Sequence, residues 1–187
     1  NFNQADLGIG NLDKTMDQKI ALAMIIGGQN KEPQRLRRCL QSIAPHVDGI
    51  FITLTSAPDK LKEIEAVCKE FNATVSYIQP FITITSEMIT WFEQRFKCKP
   101  HMKVGEQVFE FDRARNFNFS QVPKEYGWIL WLDCDDVFRK GENIHKLIEL
   151  ATQQKSDAIY LNYLYQVEIN ERGEITKIVT QNPRERI

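Results

Sequence analysis

Apolar residues in this chain fall into short unbroken runs, separated by stretches where they recur every three or four positions. The first run, 20–26 (IALAMII), stops at Gly27-Gly28 and has the pattern of a strand buried on both faces. Pro33 then suits a helix start. Leu36, Cys39, Leu40 and Ile43 share one face of that helix, and Pro45 ends it. A second strand is predicted at 49–54. Ser56, Pro58 and Asp59 form a helix-start signal ahead of the stripe Leu61, Ile64, Cys68 and Phe71. Residues 73–78 make a third strand. Strand, helix, strand, helix, strand with short links predicts an α/β fold whose strands pair in parallel through right-handed crossovers. Open sheets of this kind bind ligands beyond the carboxyl ends of their strands, so the residues just after each strand are the ones to watch.

Between about 81 and 110 this order breaks. Met88, Ile89, Phe92 and Phe96 share a helical face inside an aromatic-rich insertion, which is expected to pack against the domain rather than act as a lid. A short helix capped by Asp112 is predicted at 111–122, and a buried strand at 128–132. A further helix follows, with Ile144, Leu147, Ile148 and Ala151 inward. Two strands then flank a turn in which Gly173 supplies positive φ. The first 18 residues are polar and begin without Met. They read as an arm or linker, leaving 19–187 as one domain cut from a longer chain.

Composition narrows the classes. The chain has 187 residues, 42% hydrophobic, enough for one globular core; a net charge of -1 gives no basic excess for nucleic acid. The basic cluster at 35–39 (RLRRC) reads as the wet face of a helix. Cys39, Cys68, Cys98 and Cys134 are scattered without metal-ligand spacing, which predicts reduced thiols and a cytoplasmic location. No run approaches the length of a membrane span.

The chemistry gathers at "WILWLDCDDVF", where a hydrophobic strand runs into Asp133, Asp135 and Asp136. Crowded carboxylates raise one another's pKa unless a cation neutralises them, and hard oxygen ligands suit Mn²⁺ or Mg²⁺ bridging to phosphate. Asp133 and Asp135 are two apart, so an extended backbone would aim both the same way, with Asp136 pointing elsewhere or capping the next turn. Cys134 reads as a spacer facing away from them. A calcium EF-hand is excluded, because its sixth position would be Phe138 and its twelfth Ile144. A haloacid-dehalogenase-type phosphatase with Asp133 as nucleophile and Asp135 as acid is a minor alternative, since too little chain follows for its later motifs.

Two blocks carry a wider resemblance. "IALAMIIGGQNKEPQRLRRCLQSIAPHVDGIFI" resembles the opening of family 2 glycosyltransferases, and "FDRARNFNFSQVPKEYGWILWLDCDDVF" resembles their ARN helix and D-x-D strand. The order and spacing agree from residue 20 to about 140. The resemblance implies a GT-A (Rossmann-like) fold, an open, mostly parallel sheet flanked by helices, here C-terminally truncated. It implies an inverting, metal-dependent transfer of a sugar from a nucleotide-sugar, a UDP-sugar foremost and a GDP-sugar second, to a glycan, lipid or protein acceptor. Asp133 and Asp135 match the Mn²⁺ or Mg²⁺ site. Gly27, Gly28, Asn30, Glu32, Thr53, Arg115, Asn116 and Asp133 match donor-binding positions. The resemblance departs at Leu54, where the family carries a base-reading Asp. It places the catalytic base beyond Ile187; Glu142 and His145, the nearest candidates, read as helix-surface residues. The alternative is a degenerate, non-catalytic module of the same fold used for binding or assembly.

Overall fold

The computed structural model describes residues 19–27, 32–55, 61–172 and 174–185. The predicted arm at 1–18, Gly28, Asn30, the helix-start signal at Ser56–Asp59 and Gly173 lie outside the described residues. Four parallel strands form the central sheet: β1 (Ile20–Ile26), β2 (Gly49–Leu54), β3 (Thr74–Tyr77) and β6 (Trp128–Trp131), in the order β3-β2-β1-β6. Helices α1 (Glu32–Ile43) and α2 (Lys62–Glu70) are the crossovers. The α/β fold class with a parallel sheet and flanking helices stands as predicted.

Alternation along the strands decides which helix meets which face. Ile20, Leu22, Met24 and Ile26 of β1 join Ile50, Ile52 and Leu54 of β2 in one core with Leu36 and Leu40 of α1 and Ile64 of α2. α5 (Ile144–Gln153) adds Ile144 and Ile148 to the same core. Leu147, predicted inward, is 37% exposed: the inward arc of this helix is narrower than the sequence stripe. The opposite face of β1 carries Ala21 and Ala23, whose small side chains let α4 (Phe111–Ser120) lie close, with Ala114 buried. The cap of α4 is Glu110, and Asp112 falls in its first turn. Predicted as the cap, Asp112 sits two residues too late because the helix starts earlier than its polar signal.

Close approaches fix the strand entries. Asp48 accepts a hydrogen bond from Ile20 N–H at 2.7 Å and returns its own N–H to Ile20 C=O at 2.8 Å, aligning β1 with β2. A Cβ on Gly49 would overlap the Tyr126 hydroxyl, whose ring stacks edge-on to Phe51.

After β3 the chain leaves the sheet. β4 (Phe81–Thr83) pairs antiparallel with β5 (Gln107–Phe109), and Glu110 N–H to Pro80 C=O at 2.7 Å closes the neck. Between them, α3 (Ser86–Phe96) is capped by Thr85, whose hydroxyl accepts from Met88 N–H. No residue of α3 is buried. The expected packing of this helix against the domain gives no buried side chain: its apolar face, with Met88 and Phe92, lines a pocket within its own insertion. β7 (Tyr160–Ile169) and β8 (Ile175–Glu185) form a separate antiparallel hairpin, anchored to the core through Ile159 and Leu161.

Candidate functional site

The strand order reverses between β1 and β6, which are neighbours although four other strands lie between them in sequence. In an open α/β sheet such a switch point opens a crevice at the strands' carboxyl ends. Gly27 follows β1 there, and Asp133 follows β6. Sequence and topology thus bring the two most telling predicted residues to one end of the sheet.

The acids do not continue the strand. Asp136 N–H bonds back to Asp133 C=O at 3.0 Å, with Cys134 and Asp135 at the turn. The Asp136 carboxylate accepts from Asp133 N–H at 3.0 Å and from the Tyr163 hydroxyl of β7. The expectation that an extended backbone aims Asp133 and Asp135 together is corrected here: local hydrogen bonding to a carboxylate outcompetes the strand. The capping role foreseen for Asp136 is what the structure shows, and that residue is 8% exposed. Asp133 keeps 46% of its side chain open, and Asp135 is exposed. Two carboxylates are thus presented to solvent while the third holds the turn. Among the described residues, no three His, Cys, Asp or Glu side chains converge as a self-sufficient metal site.

Arg115 reaches the same place from α4. Its Nη2 lies 3.9 Å from Asp133 Oδ1, and the side chain is 11% exposed. Three rings hold its guanidinium: Trp131 at 4.3 Å, Phe111 at 5.0 Å and Phe119 at 5.8 Å from their centroids. Phe111 and Phe119 stand four residues before and after Arg115, so helical geometry alone puts them on its flanks. A cation over a partly desolvated ring gains roughly 0.5–2 kcal/mol, enough to keep the fork aimed. Arg38 of α1 donates to Asp135 C=O at 3.0 Å from the other side. Arg37 pairs with Glu70 on the exposed surface of α1 and α2.

Gly27 and Glu32 lie together. A Cβ built on Gly27 would sit 3.9 Å from both Glu32 Oε1 and Thr55 Oγ1, an ordinary contact. Glu32, 8% exposed, opens α1, where the helix dipole favours a carboxylate. Thr53 is placed elsewhere. Its side chain is fully buried toward α4, with its hydroxyl 2.8 Å from Ser76 Oγ and accepting from Asn118 Nδ2 at 3.0 Å. Leu54 points into the core and is 0% exposed. Asn116 is exposed on α4, whereas Asn118 is buried and also donates to Phe51 C=O at 3.1 Å.

The cysteines by the acids are inert. Burial, then Asp136, pushes the Cys39 thiol up to about 12, and its Sγ lies 3.7 Å from Asp133 C=O. Burial, then Glu32 and Asp135, pushes Cys134 up to about 12, which fits its reading as a spacer. Tyr163, Trp131, Arg38 and Asn118 were missed in the sequence. The i±4 spacing of Phe111, Arg115 and Phe119 was a legible signal for the ring cradle; the reach of Tyr163 from a later hairpin had none.

No protein-family model matches the chain, and no curated protein matches it significantly. Among solved structures it is similar to a 4-diphosphocytidyl-2C-methyl-D-erythritol synthase from Anaerococcus prevotii. That likeness covers 90% of this chain and 69% of that one, at 14% identity and a TM-score of 0.44.

Proposed function

We propose that this chain is the donor-binding part of a metal-dependent glycosyltransferase that takes its sugar from a nucleotide-sugar. The observation that carries this reading is the pairing of a solvent-open Asp133–Asp135 turn with a ring-cradled Arg115, at the switch point of a parallel sheet. The donor set fits a hard divalent cation such as Mn²⁺ or Mg²⁺: two accessible carboxylates, with remaining ligands left to substrate oxygens and water. Such an ion supplies neutralisation of a diphosphate leaving group. Asp133 and Asp135 hold it, Asp136 keeps their turn folded, and Arg115 offers a planar fork to a diphosphate oxygen. Gly27 leaves room beside β1, and Glu32 lines the same side.

Titration calorimetry with UDP- and GDP-sugars, with and without Mn²⁺, tests this. Binding is expected only with metal. Asp135→Asn should weaken it at least about ten-fold by removing a hard ligand. Arg115→Lys should weaken it while keeping the charge, because a lysine cannot reproduce the fork. Binding that ignores both metal and Asp135 would overturn the assignment.

A second reading rests on Leu54. The position where the resembled family reads the base is here an aliphatic side chain sealed in the core. This favours a non-catalytic module of the same fold. Sugar transfer by a longer natural chain containing this domain would exclude it.

A further inference from the structure

The insertion between β4 and β5 carries apolar surface that the fold leaves unused. α3 and the segment after it border an open pocket of about 460 Å³, within the range of roughly 300–1,000 Å³ typical of ligand sites. Met88, Ile89, Trp91, Phe92 and Met102 line it, with Glu87 as its charged lining residue. Trp91 is 61% exposed, and neighbouring Phe96 and Val104 are 54% and 63% exposed. Aromatic and aliphatic groups held in contact with water on one short element mark an interaction site rather than ordinary surface scatter.

The charge beside the pocket indicates the partner. Residues 95–103 read RFKCKPHMK, in which Arg95, Lys97, Lys99 and Lys103 are the charged side chains; Glu93 precedes them, and the Glu106 carboxylate is held by Lys103 N–H at 3.0 Å. After the helix, exposed Lys99, His101 and Lys103 alternate with half-buried Pro100 and Met102, which line the pocket. Apolar and cationic groups thus share one strip, the apolar ones toward the pocket and the basic ones toward solvent. A second copy paired through the same surface would bring two such basic strips together, which like-charge repulsion disfavours. An anionic amphiphile satisfies both halves at once. Glu87 stays ionised, its carboxyl held low by its own backbone N–H and by Thr85 and Ser86, so the anionic end must lie toward the lysines.

We propose that this insertion docks on an anionic lipid bilayer, with a lipid chain entering the pocket beneath Trp91 and the headgroups meeting Arg95, Lys99 and Lys103. Interfacial elements with Trp and Phe on one side and Lys or Arg on the other bind in this manner. The inference stands independently of what the crevice at Asp133 binds.

Vesicle co-sedimentation with the whole 187-residue chain tests it, using phosphatidylcholine alone and phosphatidylcholine mixed with phosphatidylglycerol. Partition is expected only with the anionic lipid, falling with salt. Each basic residue near such a surface should contribute roughly five-fold, so K99E/K103E should bind at least about thirty-fold more weakly with unchanged circular dichroism. K99R/K103R should bind as the natural chain does, and Glu87→Gln more tightly. Tryptophan emission should shift to the blue on binding, and Trp91→Phe should lose that shift. Failure to bind anionic vesicles would overturn the proposal, as would equal partition into phosphatidylcholine or indifference to K99E/K103E. Self-association lost in Trp91→Glu, in place of vesicle binding, would assign the surface to a second copy and also overturn it.

Discussion

At the residue scale, the three aspartates divide their labour. Asp136 is spent on structure, accepting from a backbone amide and a tyrosine, and Asp133 and Asp135 are left open to solvent. The sequence signalled that Asp136 differed but could not supply Tyr163, which lies 27 positions away. Nor could it show that the turn replaces the extended geometry. Cys39 and Cys134 follow the same local logic. Their thiols, ordinarily near 9.0, are raised to about 12 by burial and the surrounding carboxylates. Both therefore stay protonated in the folded chain through pH values at which they ionise when unfolded. Their effect on stability is nil below pH 9 and unfavourable to folding as pH climbs from 9 toward 12. Alkylation by iodoacetamide at pH 8 should modify exposed Cys98 first, and Cys39 and Cys134 only after denaturant is added, as peptide mass spectrometry would show.

At the element scale, α4 matters most for the site. It carries Arg115 outward to the acids and Asn118 inward to the sheet, three residues apart. Asn118 bonds Phe51 C=O and Thr53 Oγ1, pinning the helix to β2 in register with its own arginine. Asn118→Ala should cost about 1–3 kcal/mol, because the groups it leaves are buried, and should loosen the aim of Arg115. Urea denaturation reads the first effect and donor calorimetry the second. The strands were legible because buried parallel strands are continuous apolar runs, and α1 because its stripe and two prolines agree. α3 was legible as a helix and misread in its packing. Periodicity reports an apolar face but not what covers it, and here no residue of the helix is buried.

At the scale of the whole molecule, the crevice is assembled from residues contributed by distant parts of the chain. Gly27 and Glu32 come from the first crossover, Arg115 from the helix after the insertion, and Asp133 from the last sheet strand. The order of these blocks predicted the parallel core, and the β3-β2-β1-β6 order then places them at one end of the sheet, between β1 and β6. The insertion and the hairpin are the parts that sequence patterning placed least well, because neither joins the main sheet and no shared period ties them to it.

The Tyr163–Asp136 bond bears on any attempt to dissect the chain. β7 and β8 look dispensable, since the four-stranded sheet closes without them. Yet a chain shortened before Tyr160 would leave Asp136 without its phenol, and the turn would lose the bond that ties it to the hairpin. Such a fragment should keep the far-ultraviolet signature of its sheet and helices while losing metal-dependent donor binding; Tyr163→Phe in the full chain should reproduce that loss in milder form. The smallest portion that folds would then be smaller than the smallest portion that works.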